Sequence, residues 1–133
     1  MIRAVYPQDI ESVWPIIEGW VKDACEYTDL INSDDVKEAI KTSRMQCLIA
    51  GDPIVGVIVT EISPYPRKNV LRVVAMGGLN LDEWLGETND ILCKWACAIG
   101  AKLESTGRKG WERRLAPLGW KTESITVSKG VTP

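Results

Sequence analysis

The side chains that could do chemistry in this sequence are few, and none is histidine. That absence removes the commonest general base, the Ser/His/Asp triad and most catalytic zinc sites together. Two carboxylates, Glu61 and Glu104, fall within strand-like runs and are the candidate bases for removing a proton from an attacking nucleophile. A double glycine, Gly77 and Gly78, follows Ala75 and Met76 at the end of an apolar run, where backbone N–H groups could cradle an anion. Arg108, Lys109, Arg113 and Arg114 form one basic cluster beside Trp111, which reads first as a solvated face, with Arg108 set to pair with Glu112, and next as a protein-docking surface. Base stacking on single strands would need exposed aromatic platforms as well, so nucleic acid is not the expected partner. Cys25, Cys47, Cys93 and Cys97 lack CxxC spacing, which argues against a zinc ribbon or a disulfide framework and for reduced core thiols. Cys93 and Cys97, one helical turn apart, are read as a core pair.

These groups need a scaffold, and 133 residues suffice for one domain with a real core, read here as spanning residues 1–133. The 45% apolar and 26% charged fractions are those of a globular chain, and the net charge of −2 gives no global attraction to nucleic acid or anionic membrane. No apolar stretch is long enough to cross a bilayer, and the N-terminus lacks a signal-peptide core, so the expectation is a soluble, unexported protein.

Ile2 to Val5 reads as an opening strand, followed by a turn at Pro7 and a helix capped at Asp9. Ile10, Val13, Trp14, Ile17, Val21 and Ala24 recur at helical spacing, with a kink expected at Pro15. Ser33, before Asp34 and Asp35, predicts the N-cap of a short second helix ending near Ser43. Met45 to Ala50 and Ile54 to Ile62 predict a hairpin, and Val70 to Ala75 a third antiparallel strand. Asn80 with Glu83 suggests a capping box for the longest helix, whose inner face carries Trp84, Leu85, Thr88, Leu92, Trp95 and Ala96. Gly100 ends it. A strand (Lys102 to Ser105), a helix (Arg108 to about Leu115) and a last strand (Trp120 to Ser128) complete the expectation. Six tryptophans and no phenylalanine are unusual, and Trp20 and Trp111 lie off the core stripes as candidates for an exposed partner surface.

This order of elements resembles the GNAT superfamily of acyl-CoA-dependent N-acyltransferases. The stretch GRKGWERRLAPLGWKTESITVSK, Gly107 to Lys129, resembles the C-terminal half of small phage-encoded GNAT-like proteins, as does a strand ending in Gly77-Gly78 before Asp82, Glu83 and Trp84. The resemblance implies an α/β (α+β type) fold, a mixed, mostly antiparallel sheet with helices on both faces. It also implies acetyl-CoA as cofactor, held by Ala75, Met76, Gly77 and Gly78, an amine acceptor, and Glu104 as base. The family's loop R/Q-x-x-G-x-G/A is represented only by Met76, Gly77, Gly78, Leu79 and Asn80. No lysine or arginine occurs from Val73 to Cys93, where Asp82, Glu83, Glu87 and Asp90 are acidic, and Leu115 stands where relatives carry an acid tyrosine. Two expectations follow. One is an N-acetyltransferase; the other is a degenerate, non-catalytic module of a phage, in the virion or bound to a host-cell protein. On either, Arg108, Lys109, Trp111, Arg113 and Arg114 are the candidate partner-binding residues, and a homodimer through the last strand is expected.

Overall fold

In the computed structural model, which describes residues 1–132, five strands form one sheet in the order β1-β2-β3-β4-β5. β1 (Ile2–Val5), β2 (Gln46–Ala50), β3 (Gly56–Pro64) and β4 (Asn69–Gly78) pair antiparallel in sequence order, and β5 (Ala101–Ser105) joins β4 in parallel. The parallel pair needs a crossover, which α3 (Leu81–Ala98) supplies. α1 (Ile10–Ala24) and α2 (Ser33–Lys41) cover the opposite face, so helices flank both sides of a mixed, mostly antiparallel sheet, as expected.

Each face has its own apolar filling. On the α1 side, Ile10, Trp14, Ile17 and Val21 repeat at intervals of four, three and four residues and are buried against Val57, Val59, Val74 and Ala75 of the sheet. On the α3 side, Trp84, Leu92 and Ala96 meet Ile58, Leu71 and Val73. Each such side chain removed from water contributes roughly 1.5–3 kcal/mol, and the β-branched residues of β3 and β4 suit strands covered on both faces.

Local details differ from the sequence expectation. α1 runs unbroken through Pro15, and Asp9 precedes it without a side-chain cap. The cap of α2 is Asn32 rather than Ser33: its side-chain oxygen accepts from the Asp35 N–H at 3.0 Å while Asp35 accepts from the Asn32 N–H at 3.0 Å. Asn80 makes no capping box with Glu83, because its left-handed backbone (φ 54°) turns the side chain away from the helix N-terminus. Cys25 and Cys47 are buried, but Cys93 and Cys97 are exposed on the outer face of α3, since the stripe through Trp84, Thr88, Leu92 and Ala96 takes the inner one.

The expected last strand is not formed. From Trp120 to Thr132 the chain has no regular secondary structure, and Lys121 onward is exposed. Only Ile125 and Val127 alternate there as apolar residues, and no neighbouring strand covers them, so side-chain burial does not compensate for ordering the backbone. The segment is held at its start alone: the Trp120 indole N–H donates to Asn89 Oδ1 at 2.8 Å, and Lys102 pairs with Glu123.

Candidate functional site

β4 is the strand that makes a site. Its first half, Asn69 to Val73, registers with Ala101 to Ser105 of β5 on one side and with Pro64 to Thr60 of β3 on the other. At Val74 the ladder to β3 gains an extra residue: Val59 faces Ala75 and Thr60 faces Val73, leaving Val74 as a β-bulge. Beyond it β4 stays with β3 but no longer pairs with β5, the last link being the Thr106 N–H to the Val73 carbonyl at 3.4 Å. A bulge bends a strand and raises its twist, and here the bend coincides with the parting of β4 from β5.

The space so opened is a cleft of about 400 Å³ between Val73–Met76 and the segment Ser105–Trp111, with Arg114 at its side. Alternation along an antiparallel ladder fixes which backbone groups reach it. The Leu79 N–H donates to the Val55 carbonyl on the β3 side at 2.7 Å, so the N–H and C=O of Met76, three residues earlier, point to the open edge. Met76, Gly77 and Gly78, expected as a loop, are therefore the end of β4. The true connection to α3 is only Leu79 and Asn80.

The glycines here have packing reasons. A Cβ on Gly78 (φ 147°) would lie 2.2 Å from the Val55 carbonyl oxygen, and one on Gly56 would lie 2.3 Å from the Trp84 ring. Trp84 in turn donates its indole N–H to the Leu79 carbonyl at 2.9 Å, which ties the short connection to α3.

Positive charge reaches the cleft from the other wall. Arg108, Lys109, Trp111 and Arg114 line it, whereas Arg113 is exposed and does not. The helix α4 (Trp111–Leu115) starts later than expected, so Arg108 and Lys109 belong to a strap that crosses from β5. Arg108 donates to the Asp23 carbonyl at the C-terminal end of α1 (3.0 Å) instead of pairing with Glu112, whose carboxylate accepts from the Gly110 N–H. A cation at a helix C-terminus is favoured by the helix dipole. Trp111 is half-buried, not an exposed platform: its indole N–H donates to Ser105 Oγ at 2.8 Å and its ring lies against Gly107. Trp20 is likewise half-buried, packed on the α1-side core beside Gly77. Arg114 reaches Asp82 in the first turn of α3 at 3.8 Å.

Glu104 lies one residue before the cleft wall, opposite Arg72 on β4, whose guanidinium it meets at 3.0 Å. Glu61 approaches the same guanidinium at 3.8 Å from β3, and Lys102 approaches Glu104 at 3.8 Å. The Tyr65 hydroxyl first, and then Glu104, hold the Arg72 pKa above its ordinary value. Both candidate bases are thus engaged with one cation in a row across the sheet.

Sequence reading missed Tyr27. Its hydroxyl, on the turn after α1, donates to the carbonyl of the bulged Val74 at 3.4 Å. Burial, the largest influence, pushes its pKa above the ordinary 10.0, so the phenol keeps its proton at neutral pH. Only the β4 bulge explains its placement, and a bulge leaves no mark in a run such as Val70 to Ala75. Among the described residues no cluster of three or more potential ligands gathers for a metal, and no helix is long and apolar enough to cross a membrane.

No protein-family model matches this sequence, and no curated protein does either. Solved structures share its shape. A ribosomal-protein-alanine N-acetyltransferase from Brucella melitensis biovar Abortus superposes with a TM-score of 0.71 at 12% identity, covering 99% of each chain. A predicted acetyltransferase with acetyl-CoA from Clostridium acetobutylicum gives 0.71 at 11% identity over 98% of this chain and 95% of that one. An acetyltransferase from Trypanosoma brucei gives 0.66 at 13% identity, over 98% and 99%. The fold is that of the GNAT-superfamily acetyltransferases.

Proposed function

We propose that this protein binds an acyl-CoA, acetyl-CoA in the simplest case, in the cleft between β4 and β5 and transfers the acyl group to an amine. One observation carries the reading: past the Val74 bulge the open backbone edge of β4 faces a wall bearing Arg108, Lys109 and Arg114. An amide-containing arm can add to such an edge as a strand would, and a polyphosphate suits clustered cations. The cations missing from the β4–α3 connection are supplied by the strap after β5. Arg114 also offsets Asp82, one of the two carboxylates in the first turn of α3.

When bound, acetyl-CoA would supply a thioester carbon to an amine nitrogen: the C–N bond forms, the C–S bond breaks, the nitrogen gives up a proton to water, and the leaving thiolate takes one up. Tyr27, whose hydroxyl is bonded to the carbonyl of the cleft-lining Val74, is the group we assign to donate that proton, taking the part for which Leu115 is unfit. Glu104 and Glu61, both tied to Arg72, serve to hold the amine's positive charge near the bulge before it is deprotonated rather than as free bases.

Acetyl-CoA at about 100 times its Kd raises the unfolding free energy by about 2.7 kcal/mol, read as a thermal shift. Arg114→Glu weakens this shift at constant fold, and Tyr27→Phe lowers turnover about 100-fold with the shift intact. Absence of any shift at millimolar acetyl-CoA sinks the reading.

A second reading, a non-catalytic module of a phage particle or one docked on a host protein, is favoured by the two-residue β4–α3 connection and the acidic first turn of α3. Arg113, exposed and outside the cleft, would then belong to the docking face.

A further inference from the structure

Among the described residues, the segment from Ser124 onward has no partner within the fold. Ile125, Val127 and Val131 are 83%, 88% and 84% exposed, and no strand lies beside them. Yet Ser124 to Ser128 reads Ser-Ile-Thr-Val-Ser, uncharged and with three consecutive β-branched residues. Such a stretch suits a strand better than solvated coil.

The order of its residues points to an occupant. Thr126 is the centre of a near-palindrome: Ser124 and Ser128 flank it at two residues, Ile125 and Val127 at one, and Glu123 and Lys129, of opposite charge, at three. We propose that this segment pairs antiparallel with the same segment of a second copy of the chain, about a two-fold axis through Thr126. In that register each Ile125 faces a Val127 and each Ser124 a Ser128, and each Glu123, already paired with Lys102 of its own copy, meets Lys129 of the other as a second cation at the end of the ribbon. The two Ile125–Val127 pairs fall on one face of the ribbon and cover one another. Thr126 faces Thr126 on the other.

Alternative pairings do worse by the same rules. Parallel, in-register stacking sets Glu123 against Glu123 and Lys129 against Lys129, which is repulsive. An antiparallel slip of one residue sets Ile125 against a serine and separates the charges. The favoured arrangement is isologous and closes on itself, giving a dimer rather than a fibre. Each copy presents its segment from a fixed place, because Trp120 is bound to Asn89 and Glu123 to Lys102. This inference does not depend on the cleft or on any activity.

Two strands of this length bury less than a standard interface, so the dimer is weak, with Kd on the order of 10–100 μM. Sedimentation equilibrium on the full chain tests it. The wild type converts from monomer to dimer over that range, and of Ile125→Pro and Thr126→Pro, at adjacent exposed positions whose N–H groups point to opposite edges, at least one removes a ladder N–H and raises Kd at least tenfold with an unchanged circular dichroism spectrum. Register is read by oxidative cross-linking in a Cys93→Ser, Cys97→Ser background: Thr126→Cys gives a covalent dimer and Ser128→Cys does not. A wild type that stays monomeric to about 1 mM, a dimer indifferent to both Ile125→Pro and Thr126→Pro, or equal cross-linking at both positions overturns the proposal.

Discussion

The two halves of β4 are continuous in sequence and paired alike to β3, yet only one has β5 on its other side. Asn69 to Val73 is an interior strand, with Val70, Leu71 and Val73 buried. Val74 to Gly78 is an edge, although helices still lie over both faces. Both halves are rich in small or β-branched apolar residues, so composition does not separate them. One extra residue at Val74 does. The cleft in this fold arises from where a ladder stops, and Arg108 and Arg114 lie along its other wall.

The sharpest way to break the contrast is at the contact that holds the second half in place. Gly56, opposite Gly78 in the register, carries the Trp84 ring directly over its Cα. Trp84 cannot swing aside freely, since its indole N–H is bound to the Leu79 carbonyl. Gly56→Ala is expected to cost about 3 kcal/mol in urea unfolding, at the upper end for overpacking. Gly77→Ala, whose Cβ would come no nearer than 3.4 Å to the Trp20 carbonyl, is expected to cost less than about 1 kcal/mol. Equal costs would mean that Trp84 does not pin this end of the sheet.

A subtler change removes the bulge itself. Deleting Val74 brings Ala75 directly after Val73 and lets β4 match β3 without interruption, which removes the bend where β4 parts from β5. The cleft narrows while the faces of all other β4 side chains are kept. Acetyl-CoA binding is expected to weaken at least tenfold, or about 1.4 kcal/mol, with a cooperative unfolding transition retained. Unchanged affinity in a folded deletion variant would separate binding from the bulge.

Much of the scaffold could be read from residue patterns, because periodicity and turn chemistry act locally. The α1 stripe at Ile10, Trp14, Ile17 and Val21 and the α3 stripe from Trp84 to Ala96 are both buried as the spacing implies. The hairpin of β2 and β3 follows from its turn residues. What sequence could not show depends on distant partners. Ile125 and Val127 alternate like a strand, but a strand needs a neighbour, and alternation cannot say whether one exists. The same holds for the site. Arg108 and Lys109 stand out by charge, yet their presence in the cleft comes from the strap that Arg108 fastens to the end of α1. Tyr27 carried no signal at all, since its relation to Val74 spans 47 residues and a bulge.

The smallest effect tests the fully paired part of the sheet against its open edge by pH. Cys47 on β2 is 2% exposed in the α1-side core, and burial pushes its thiol up from 9.0 to about 12. The folded state therefore keeps this proton when an unfolded chain would release it. Stability from this group is complete below pH 9 and falls as pH rises from 9 toward 12, because the unfolded state alone gains by ionising. The expected loss is about 0.4 kcal/mol at pH 9 and about 1.4 kcal/mol at pH 10, from the linkage relation. Cys25 and Tyr27, raised by burial as well, steepen the same alkaline limb. The difference between wild type and Cys47→Ala isolates one proton: the variant is less stable at neutral pH for lack of packing, and its deficit shrinks as pH rises. A constant Cys47→Ala deficit from pH 7 to 10 would show that this part of the core admits water, and the contrast between a sealed first half of the sheet and an open edge would then fail.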